Sequence, residues 1–402
     1  MKLWHKVFIG LVLGVIFGIY WPEHIEYVKP IGTVFMRLIK MVIVPLLFFS
    51  LVSGITSMRD PSSIGRIGTK SVIAYFATTC LAVTFGLSVA HILKPGAGVV
   101  LNISSFSADT VPAEKQFDLL QFFIEIVPEN ILQSFAEANI LQVVFFSVFT
   151  GVIINNMNEK AEPIRNFIHS AAKLVLKMIG LIVQLSPYAA FALTAYVIGK
   201  YGTGIIFTLG KLVQAIIIAY IFQYLIYGLI IFIFCRVSPI PFYKKSIEYQ
   251  MIALSTGSSK ASLATTMQVC KNRLGVSETS TSFVLPLGAS INMNGLSIKL
   301  GLTVMFFAQV MGVHLVMSDY IIIILTGTLG SIGGAGIPGS FIIMLPIMLS
   351  SVGLPIEGVA LLVGIDRVLD LLSTTINITG DAAITLVIDN SEGTFDKEMY
   401  YS

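Results

Sequence analysis

The segment Ser331-Ile332-Gly333-Gly334-Ala335-Gly336-Ile337-Pro338-Gly339-Ser340 interrupts an apolar region at 320–354. An earlier apolar region, 248–275, is interrupted in the same way by Thr256-Gly257-Ser258-Ser259-Lys260-Ala261-Ser262. In hydrocarbon every backbone polar group must be hydrogen-bonded, so irregular chain survives there only inside protein or beside water. A polar tip between two apolar arms, each too short to span, predicts a re-entrant hairpin. Two ordinary helices with Gly-rich packing motifs are the alternative, which Pro338 and five glycines in 330–339 disfavour.

Each interrupted region leads into a long apolar helix that contains an Ile-Asn-x-x-Gly pattern. The first copy is Ile291-Asn292-Met293-Asn294-Gly295, and the second, Ile376-Asn377-Ile378-Thr379-Gly380-Asp381, begins 85 residues later. We expect a polar break inside each helix. Broken elements in corresponding positions of two repeats point to a transporter binding site near mid-membrane. Half-helix N-termini there suit a carboxylate, and half-helix carbonyls suit a cation.

The composition limits the class of protein. Of the 402 residues, 55% are hydrophobic and 12% are charged, with a net charge of +3, whereas soluble proteins carry about 25% charged residues. These values exclude an ordinary soluble globule, a disordered chain and a nucleic-acid binder with a basic face. We predict an all-α polytopic membrane protein embedded in the lipid bilayer.

Eight apolar stretches are long enough to cross a membrane as helices. They lie at roughly 4–21, 31–57, 70–93, 138–157, 170–198, 205–235, 283–312 and 360–389. Positive charges recur in alternate loops: Arg59, Arg66 and Lys70 follow the second stretch, whereas 22–30 has only Lys29. This bias predicts cytoplasmic N- and C-termini in a cell (inner) membrane.

The last stretch carries charged residues where they are costly. These are Asp366, Arg367, Asp370 and Asp381. A charge at the bilayer centre costs about 2.5–3.5 kcal/mol even on insertion scales. Asp370, Thr374, Asn377 and Asp381 follow one another at spacings of 4, 3 and 4, so they share one helical stripe. Its oxygens suit an ammonium group or a dehydrated hard cation such as sodium. The alternative is an inter-helix salt bridge or a helix end at the cytoplasmic surface.

Other functional classes lack their motifs. The chain has no G-x-S-x-G elbow and no H-E-x-x-H pair, and its five histidines are scattered outside the repeat. An intramembrane enzyme is therefore disfavoured, since no nucleophile and base meet in the polar centre. A passive channel would need rings of carbonyls or charges along an open pore. Uptake against a gradient would exclude a channel.

These residues resemble the glutamate transporter family, the dicarboxylate/amino acid:cation symporters, over nearly the whole chain. The matching motifs are Met36-Arg37-Leu38-Ile39-Lys40-Met41 with Pro45, Pro187-Tyr188-Ala189-Ala190-Phe191, the serines at 258–262, Leu285-Pro286-Leu287-Gly288, Asn292-Met293-Asn294-Gly295, Ala335-Gly336-Ile337-Pro338-Gly339 and Asn377-Ile378-Thr379-Gly380-Asp381. They occur in the family's order.

The resemblance implies a homotrimer of protomers with eight transmembrane helices, two re-entrant hairpins and inverted repeats. Residues 1–69, with spans 1 and 2, would form a static scaffold together with 94–200, which hold an extracellular loop and spans 4 and 5. Residues 70–93 and 201–402 would form a transport domain that slides like an elevator, with hairpin 2 (about 320–354) as its gate and hairpin 1 at about 248–275.

The resemblance also implies where an amino acid substrate would bind. The residues are Ser258, Ser259, Gly336, Ile337, Phe341, Asp370, Ser373, Thr374 and Asn377. Asp370 would hold the substrate ammonium, and Asn377 with the first hairpin tip would hold the α-carboxylate. Gly336 and Ile337 would close over the substrate.

Sodium ions are the implied coupling ions. One would lie on the carbonyls of Gly288, Asn292 and Asn377 and on the carboxylate of Asp381. A second would lie on the carbonyls of Ser290, Ser331, Ile332 and Gly334. A third site would involve Tyr75, Thr78, Thr79, Asn292 and Asn294. Because Asn294 replaces the usual aspartate there, we expect two sodium ions rather than three, or a proton.

Other departures concern substrate choice. Ser373 stands where members with acidic substrates have an arginine, Leu296 replaces a threonine and Phe341 replaces a glycine. A bidentate Arg–carboxylate pair cannot be replaced by a hydroxyl, so we predict a neutral amino acid.

The alternative is a sodium- or proton-coupled symporter of an acidic amino acid or dicarboxylate. Lys260 or Arg367 would then supply the missing positive charge, although either could instead pair with Asp366 or Asp370. Lys299 in the same region could be a fixed cation of the transport domain, could snorkel or could face a cavity.

Overall fold

A computed structural model of the chain describes residues 3–56, 63–97, 124, 126–137, 139–202, 204–333, 340–356, 359 and 362–402. Within these ranges the regular secondary structure is helical and contains no β-strand, so the prediction of an all-α protein is confirmed. The predicted site residues Gly334, Gly336 and Ile337 lie outside the described residues.

The helices of the N-terminal half are α1 (Leu3–Tyr20), α2 (Ile25–Thr56), α3 (Ser63–Leu93), α4 (Ile131–Ala136), α5 (Ile140–Asn156), α6 (Glu162–Val183), α7 (Ser186–Tyr201) and α8 (Gly204–Cys235). Those of the C-terminal half are α9 (Ile240–Thr256), α10 (Ser259–Asn272), α11 (Glu278–Ile291), α12 (Asn294–Met311), α13 (Met317–Gly333), α14 (Ser340–Ser351), α15 (Val363–Ser391) and α16 (Lys397–Tyr401). Short 3₁₀ turns at Pro22–His24 and Asn158–Ala161 link α1 to α2 and α5 to α6.

Several helices are long and apolar enough to cross a membrane. In the described part of the chain four qualify, at Arg66–Leu93, Phe207–Cys235, Glu278–Met311 and Val368–Ser391. Two bent pairs raise the number to six if each is one span: Ile9–Tyr20 with Pro22–Phe35, bent by 109°, and Glu159–Ile182 with Ser186–Lys200, bent by 54°. The eight predicted spans therefore stay a prediction.

Of three predicted spans compared with the structure, two differ in detail and one agrees. The stretch 170–198 ends as a helix at Val183 and restarts at Ser186, where Pro187 occupies the first turn and needs no N–H partner. The stretch 283–312 is broken, as expected, because Asn292 leaves the helix with extended backbone angles. The stretch 360–389 has no break at Asn377, since α15 runs unbroken from Val363 to Ser391.

Both interrupted regions fold into pairs of antiparallel helices. In the first hairpin, α9 and α10, Gly257 takes a left-handed conformation with φ 63° and Ser258 caps α10. The base is closed by Lys245 Nζ, which donates to the Arg273 carbonyl at 2.8 Å. In the second hairpin, α13 and α14, Gly327 faces Met348 and Gly330 faces Met344, so the two helices run in opposite directions.

The helix α12 lies at the centre of the C-terminal half. All of its residues are buried except Gln309 and Met311. It approaches α3 closely because a Cβ on Gly301 would lie 2.7 Å from the Val83 carbonyl oxygen. It runs antiparallel to α15, where a Cβ on Gly295 would lie 2.9 Å from Ser373 Cα. Small residues thus let α12 place its polar N-terminal end against α15.

Candidate functional site

A pocket lies where the first hairpin tip, the break between α11 and α12, the start of α14 and the middle of α15 meet. Its empty space, open solvent at the mouth included, is about 290 Å³. Its described lining is Gly257, Ser258, Ser259, Met293, Leu296, Ser340, Asp370, Ser373, Thr374 and Asn377. Six predicted substrate residues are therefore brought together: Ser258, Ser259, Asp370, Ser373, Thr374 and Asn377.

Sequence reasoning missed three lining residues. Gly257 and Ser340 lie within the two polar interruptions, and Met293 lies inside the first Ile-Asn-x-x-Gly pattern. All three belong to motifs that the sequence singled out, but none was assigned to the substrate site. The predicted residue Phe341 follows Ser340 but is itself only 1% exposed and does not line the described pocket.

The first hairpin presents a helix N-terminus to the pocket. Ser258 has extended backbone angles, and its Oγ accepts a hydrogen bond from the N–H of Ala261 at 3.3 Å. The earlier N–H groups of α10 have no partner within their own helix. A helix N-terminus carries partial positive charge, so this end of the pocket favours an anion such as a carboxylate.

The amide of Asn377 is oriented by the break in the facing helices. Its Oδ1 accepts a hydrogen bond at 2.7 Å from the N–H of Gly295, which the start of α12 leaves without a helical partner. Its Nδ2 therefore points the other way, toward the Met293 sulfur at 3.2 Å. Because a thioether is a weak acceptor, this N–H₂ group is well suited to donate to a substrate carboxylate.

Asp370 supplies the opposite charge. It is 6% exposed and is the only ionisable side chain among the described lining residues. The Thr374 hydroxyl donates to the Asp370 carbonyl at 2.8 Å, which leaves the Thr374 oxygen able to accept. The pocket therefore combines donors for an anion with a carboxylate for a cation, as a zwitterion requires.

A second polar cluster lies one helical turn further along α15. Asn292 Nδ2 donates to Asp381 Oδ1 at 2.8 Å, and Asn292 Oδ1 is buried without a hydrogen-bond partner in the structure. A Cβ on Gly288 would lie 2.7 Å from Asp381 Oδ1 and 2.6 Å from the Tyr75 hydroxyl. The predicted residues Gly288, Asn292 and Asp381 thus meet, and their carboxylate, unpaired amide oxygen and backbone carbonyls fit the oxygen ligands of a hard cation such as sodium.

The structure describes only part of the second predicted sodium site. Ser331 is buried and its hydroxyl donates to the Thr328 carbonyl at 2.8 Å, whereas the exposed Ser290 donates to the Pro286 carbonyl at 2.9 Å. The side chain of Ile332 is not described, and Gly334 lies outside the described residues. This second sodium site therefore stays a prediction.

At the predicted third site, neutral groups satisfy the amide of Asn294. Its Oδ1 accepts from the Thr79 hydroxyl at 3.2 Å, and its Nδ2 donates to the Tyr227 hydroxyl at 3.1 Å. Tyr75 and Thr78 donate elsewhere, to the carbonyls of Val284 and Tyr75. Tyr227 was not predicted, because no sequence pattern links α8 to Asn294.

The buried charges are paired in a way that the sequence did not predict. Lys299 Nζ donates to Asp366 Oδ1 at 2.7 Å, and both side chains are at most 4% exposed. The ammonium also lies 4.2 Å from the centre of the Phe341 ring. Lys260, expected as a partner of Asp366 or Asp370, is exposed, and the Arg367 side chain is not described. Snorkelling of Lys299 to solvent is therefore wrong.

Comparison with known proteins decides the family. The model of the sodium:dicarboxylate symporter family matches residues 3–391. The chain belongs to the sodium:dicarboxylate symporter family. The predicted membership in the glutamate transporter family is thereby confirmed, and as a family member with several apolar helices the chain is a multi-pass membrane protein and a cation-coupled symporter.

Relatives within the sodium:dicarboxylate symporter family are similar along their whole length. A proton/sodium-glutamate symport protein of Geobacillus stearothermophilus is 32% identical over 98% of the chain and 95% of the relative. A C4-dicarboxylate transport protein of Bacillus subtilis (strain 168) is 35% identical over 98% of the chain and 94% of the relative. These names refer to acidic solutes, so they give the predicted neutral substrate no support.

Proposed function

We propose that this protein carries an acidic amino acid into the cell together with a cation, across the cell (inner) membrane. The observation that carries the proposal is that Asp370, Asn377 and the N-terminus of α10 lie around one pocket. This arrangement suits the ammonium and α-carboxylate of an amino acid. The relatives named for glutamate and C4-dicarboxylate transport favour an acidic side chain on that substrate.

The coupling cation would bind beside this pocket. Gly288, Asn292 and Asp381 would hold sodium, with the Asn377 carbonyl as a further ligand one turn earlier on α15. The ion would balance the negative charge of Asp381, and the Asn292 amide oxygen would be one of its ligands. Since Asn377 belongs to both sites, cation binding would orient the group that holds the α-carboxylate. Proton coupling is the alternative that the names of the relatives raise.

The remaining architecture follows the family. We expect eight spans, two re-entrant hairpins, a homotrimer, cytoplasmic termini and an elevator-like movement. Residues 70–93 and 201–402 would move against a scaffold of 1–69 and 94–200. The close packing of α12 on both α3 and α15 supports a single mobile unit built from these elements.

A neutral amino acid is the second candidate substrate. It is favoured by the short Ser373 and the apolar Leu296 in the pocket, where the described lining contains no cationic side chain. A carboxylate without a cationic partner would be poorly held in such a lining.

Uptake into proteoliposomes tests these proposals together. Purified protein would be given radiolabelled glutamate, aspartate, glutamine, alanine or succinate under an inward sodium gradient, a proton gradient or neither. We expect concentrative uptake of glutamate or aspartate that depends on a cation gradient. Uptake of alanine or glutamine alone would establish the second candidate, and uptake that never exceeds equilibrium would overturn symport.

A further inference from the structure

A buried lysine lies next to the pocket, on the face of α12 that packs against α15. Gly295, which contacts Ser373, and Lys299, which contacts Asp366, are four residues apart on α12. Residues four apart on a helix share one face. Lys299 therefore projects along the same face of α15 that carries Asp366, Asp370 and Ser373.

The distance from this ion pair to the pocket is about one helical turn on either helix. Leu296 lines the pocket three residues before Lys299, and Asp370 lines it four residues after Asp366. One turn of α-helix corresponds to about 5.4 Å along the axis. A lysine side chain is long and flexible, so a change of rotamer would carry its ammonium the one turn from Asp366 to the end of the pocket at Leu296 and Asp370.

Stability alone gives little reason for this ion pair. Removing two charges from water costs several kcal/mol per ion, and hydrophobic residues of the same volume often stabilise a protein as well or better. The contacts of Lys299 described here, Asp366 and the Phe341 ring, occupy part of an ammonium group that has three donors. The Lys299 ammonium therefore has hydrogen-bonding capacity left, and it lies beside a pocket whose described lining has no positive side chain.

We propose that Lys299 is the residue that selects an acidic substrate. Its ammonium pairs with the side-chain carboxylate of the bound amino acid, and Asp366 holds the ammonium in place when that carboxylate is absent. This exchange leaves Asp366 as a buried carboxylate without Lys299, a cost that removal of the Asp366 charge would relieve. The inference rests on the proposed function, since it requires an acidic substrate.

The test compares each acidic amino acid with its neutral amide, glutamate with glutamine and aspartate with asparagine, by binding to the detergent-solubilised protein in sodium. We expect the double variant K299M/D366N, which removes both charges of the pair, to weaken binding of the acid by about tenfold to a hundredfold, the range for one hydrogen bond to a charged group. Binding of the amide should change little. K299R should keep a preference for the acid.

The single variant D366N gives a test with the opposite sign. It keeps Lys299 and removes its competing carboxylate, so binding of the acidic amino acid should strengthen several-fold. If the ion pair has only a structural role, D366N should not strengthen binding of the acid, and K299M/D366N should weaken binding of the acid and of the amide equally. K211M, which removes an exposed lysine of α8, controls for the general loss of a positive charge.

Each other outcome is decisive. If the unmodified protein prefers the acid and K299M/D366N keeps that preference, this inference is overturned while the proposed function stands. If K260M rather than K299M/D366N loses the preference, Lys260 is the selecting residue. If the unmodified protein binds only neutral amino acids, the proposed acidic substrate and this inference both fail. Should the double variant not fold, D366N and K299R still decide the question.

Discussion

Asn292 and Asp381 join the break between α11 and α12 to the middle of α15 through a hydrogen bond of 2.8 Å. The bond uses the Nδ2 of Asn292 and leaves its Oδ1 buried without a partner. A buried unsatisfied oxygen beside a carboxylate is costly. A bound cation would satisfy both groups, which is the physical reason for placing sodium there.

Replacing Asp381 by asparagine should weaken the binding of the sodium ion that accompanies the substrate. The variant keeps the size of the side chain but removes the charge that would hold the ion. We expect the sodium concentration needed for half-maximal substrate binding to rise by about tenfold or more, as for the loss of a charged contact. Titration of sodium at fixed amino acid measures this shift. D319N is the matched control, since Asp319 accepts from a backbone N–H at the start of α13 and asparagine can do the same.

Replacing Asp370 by asparagine should strongly weaken amino acid binding while the protein still folds. The carboxylate lies in the pocket, and a neutral amide lacks the charge that would pair with an ammonium group. We expect an affinity loss of about a hundredfold for glutamate or aspartate. A dicarboxylate such as succinate has no ammonium, so its binding should not weaken. Wild-type amino acid uptake by D370N would contradict the assignment.

The two Ile-Asn-x-x-Gly patterns show how far sequence reasoning reached. It placed Asn292, Asn377 and Asp381 at the polar centre and expected a break at both asparagines. The structure breaks only at Asn292, and the side chain of Asn377, on the unbroken α15, accepts from the N–H of Gly295, which that break exposes. The break between α11 and α12 supplies free backbone groups, and the unbroken α15 supplies side chains. This arrangement depends on how α12 and α15 pack, which the sequence patterns do not contain.

The pairing of Lys299 with Asp366 could not be predicted for a similar reason. The two residues lie 67 positions apart, and their contact depends on the antiparallel register of α12 and α15. The sequence indicated Lys260 and Arg367 as candidates because they lie close to the motifs. By contrast, the six predicted substrate residues that line the pocket were found from motifs and from the family resemblance, which depend on local sequence and not on the register between distant helices.

Glycines on α1 should be sensitive to small substitutions. A Cβ on Gly14 would lie 2.5 Å from the Phe191 carbonyl oxygen and 2.9 Å from Thr194 Cβ, so α1 and α7 would have to separate. We expect G14A to lower the free energy of unfolding by about 1–3 kcal/mol, the usual cost of overpacking. Thermal unfolding in detergent measures this loss.

The matched control for G14A is G210A. Gly210 lies within α8, and no atom would lie within 4 Å of a Cβ placed there. Alanine is the better helix former by about 1 kcal/mol, so G210A should leave the melting temperature unchanged or raise it. Equal destabilisation by both variants would show that close packing of α1 on α7 is not the cause.

The end of α15 is held to α3 by charges whose effect should depend on pH. The Glu392 carboxylate accepts from Lys70 Nζ at 2.6 Å and also pairs with Arg66. These hydrogen bonds lower the pKa of Glu392 below its ordinary value of 4.5, and the one from Lys70 has the largest effect. Because Arg66 and Lys70 are 71% and 40% exposed, we expect E392Q to cost at most about 1 kcal/mol at neutral pH.

The sign of the pH dependence follows from the lowered pKa of Glu392. A carboxyl group with a depressed pKa in the folded protein stabilises the fold above its unfolded value, and this contribution is lost as pH falls through the folded value. The difference in melting temperature between the unmodified protein and E392Q should therefore be present at about pH 7 and decline as the pH falls below 4.5, the ordinary pKa of a glutamate. E248Q is the control, because Glu248 and Arg273 are both about half exposed and such pairs contribute little. A difference that persists at acid pH would show that Glu392 acts through packing and not through its charge.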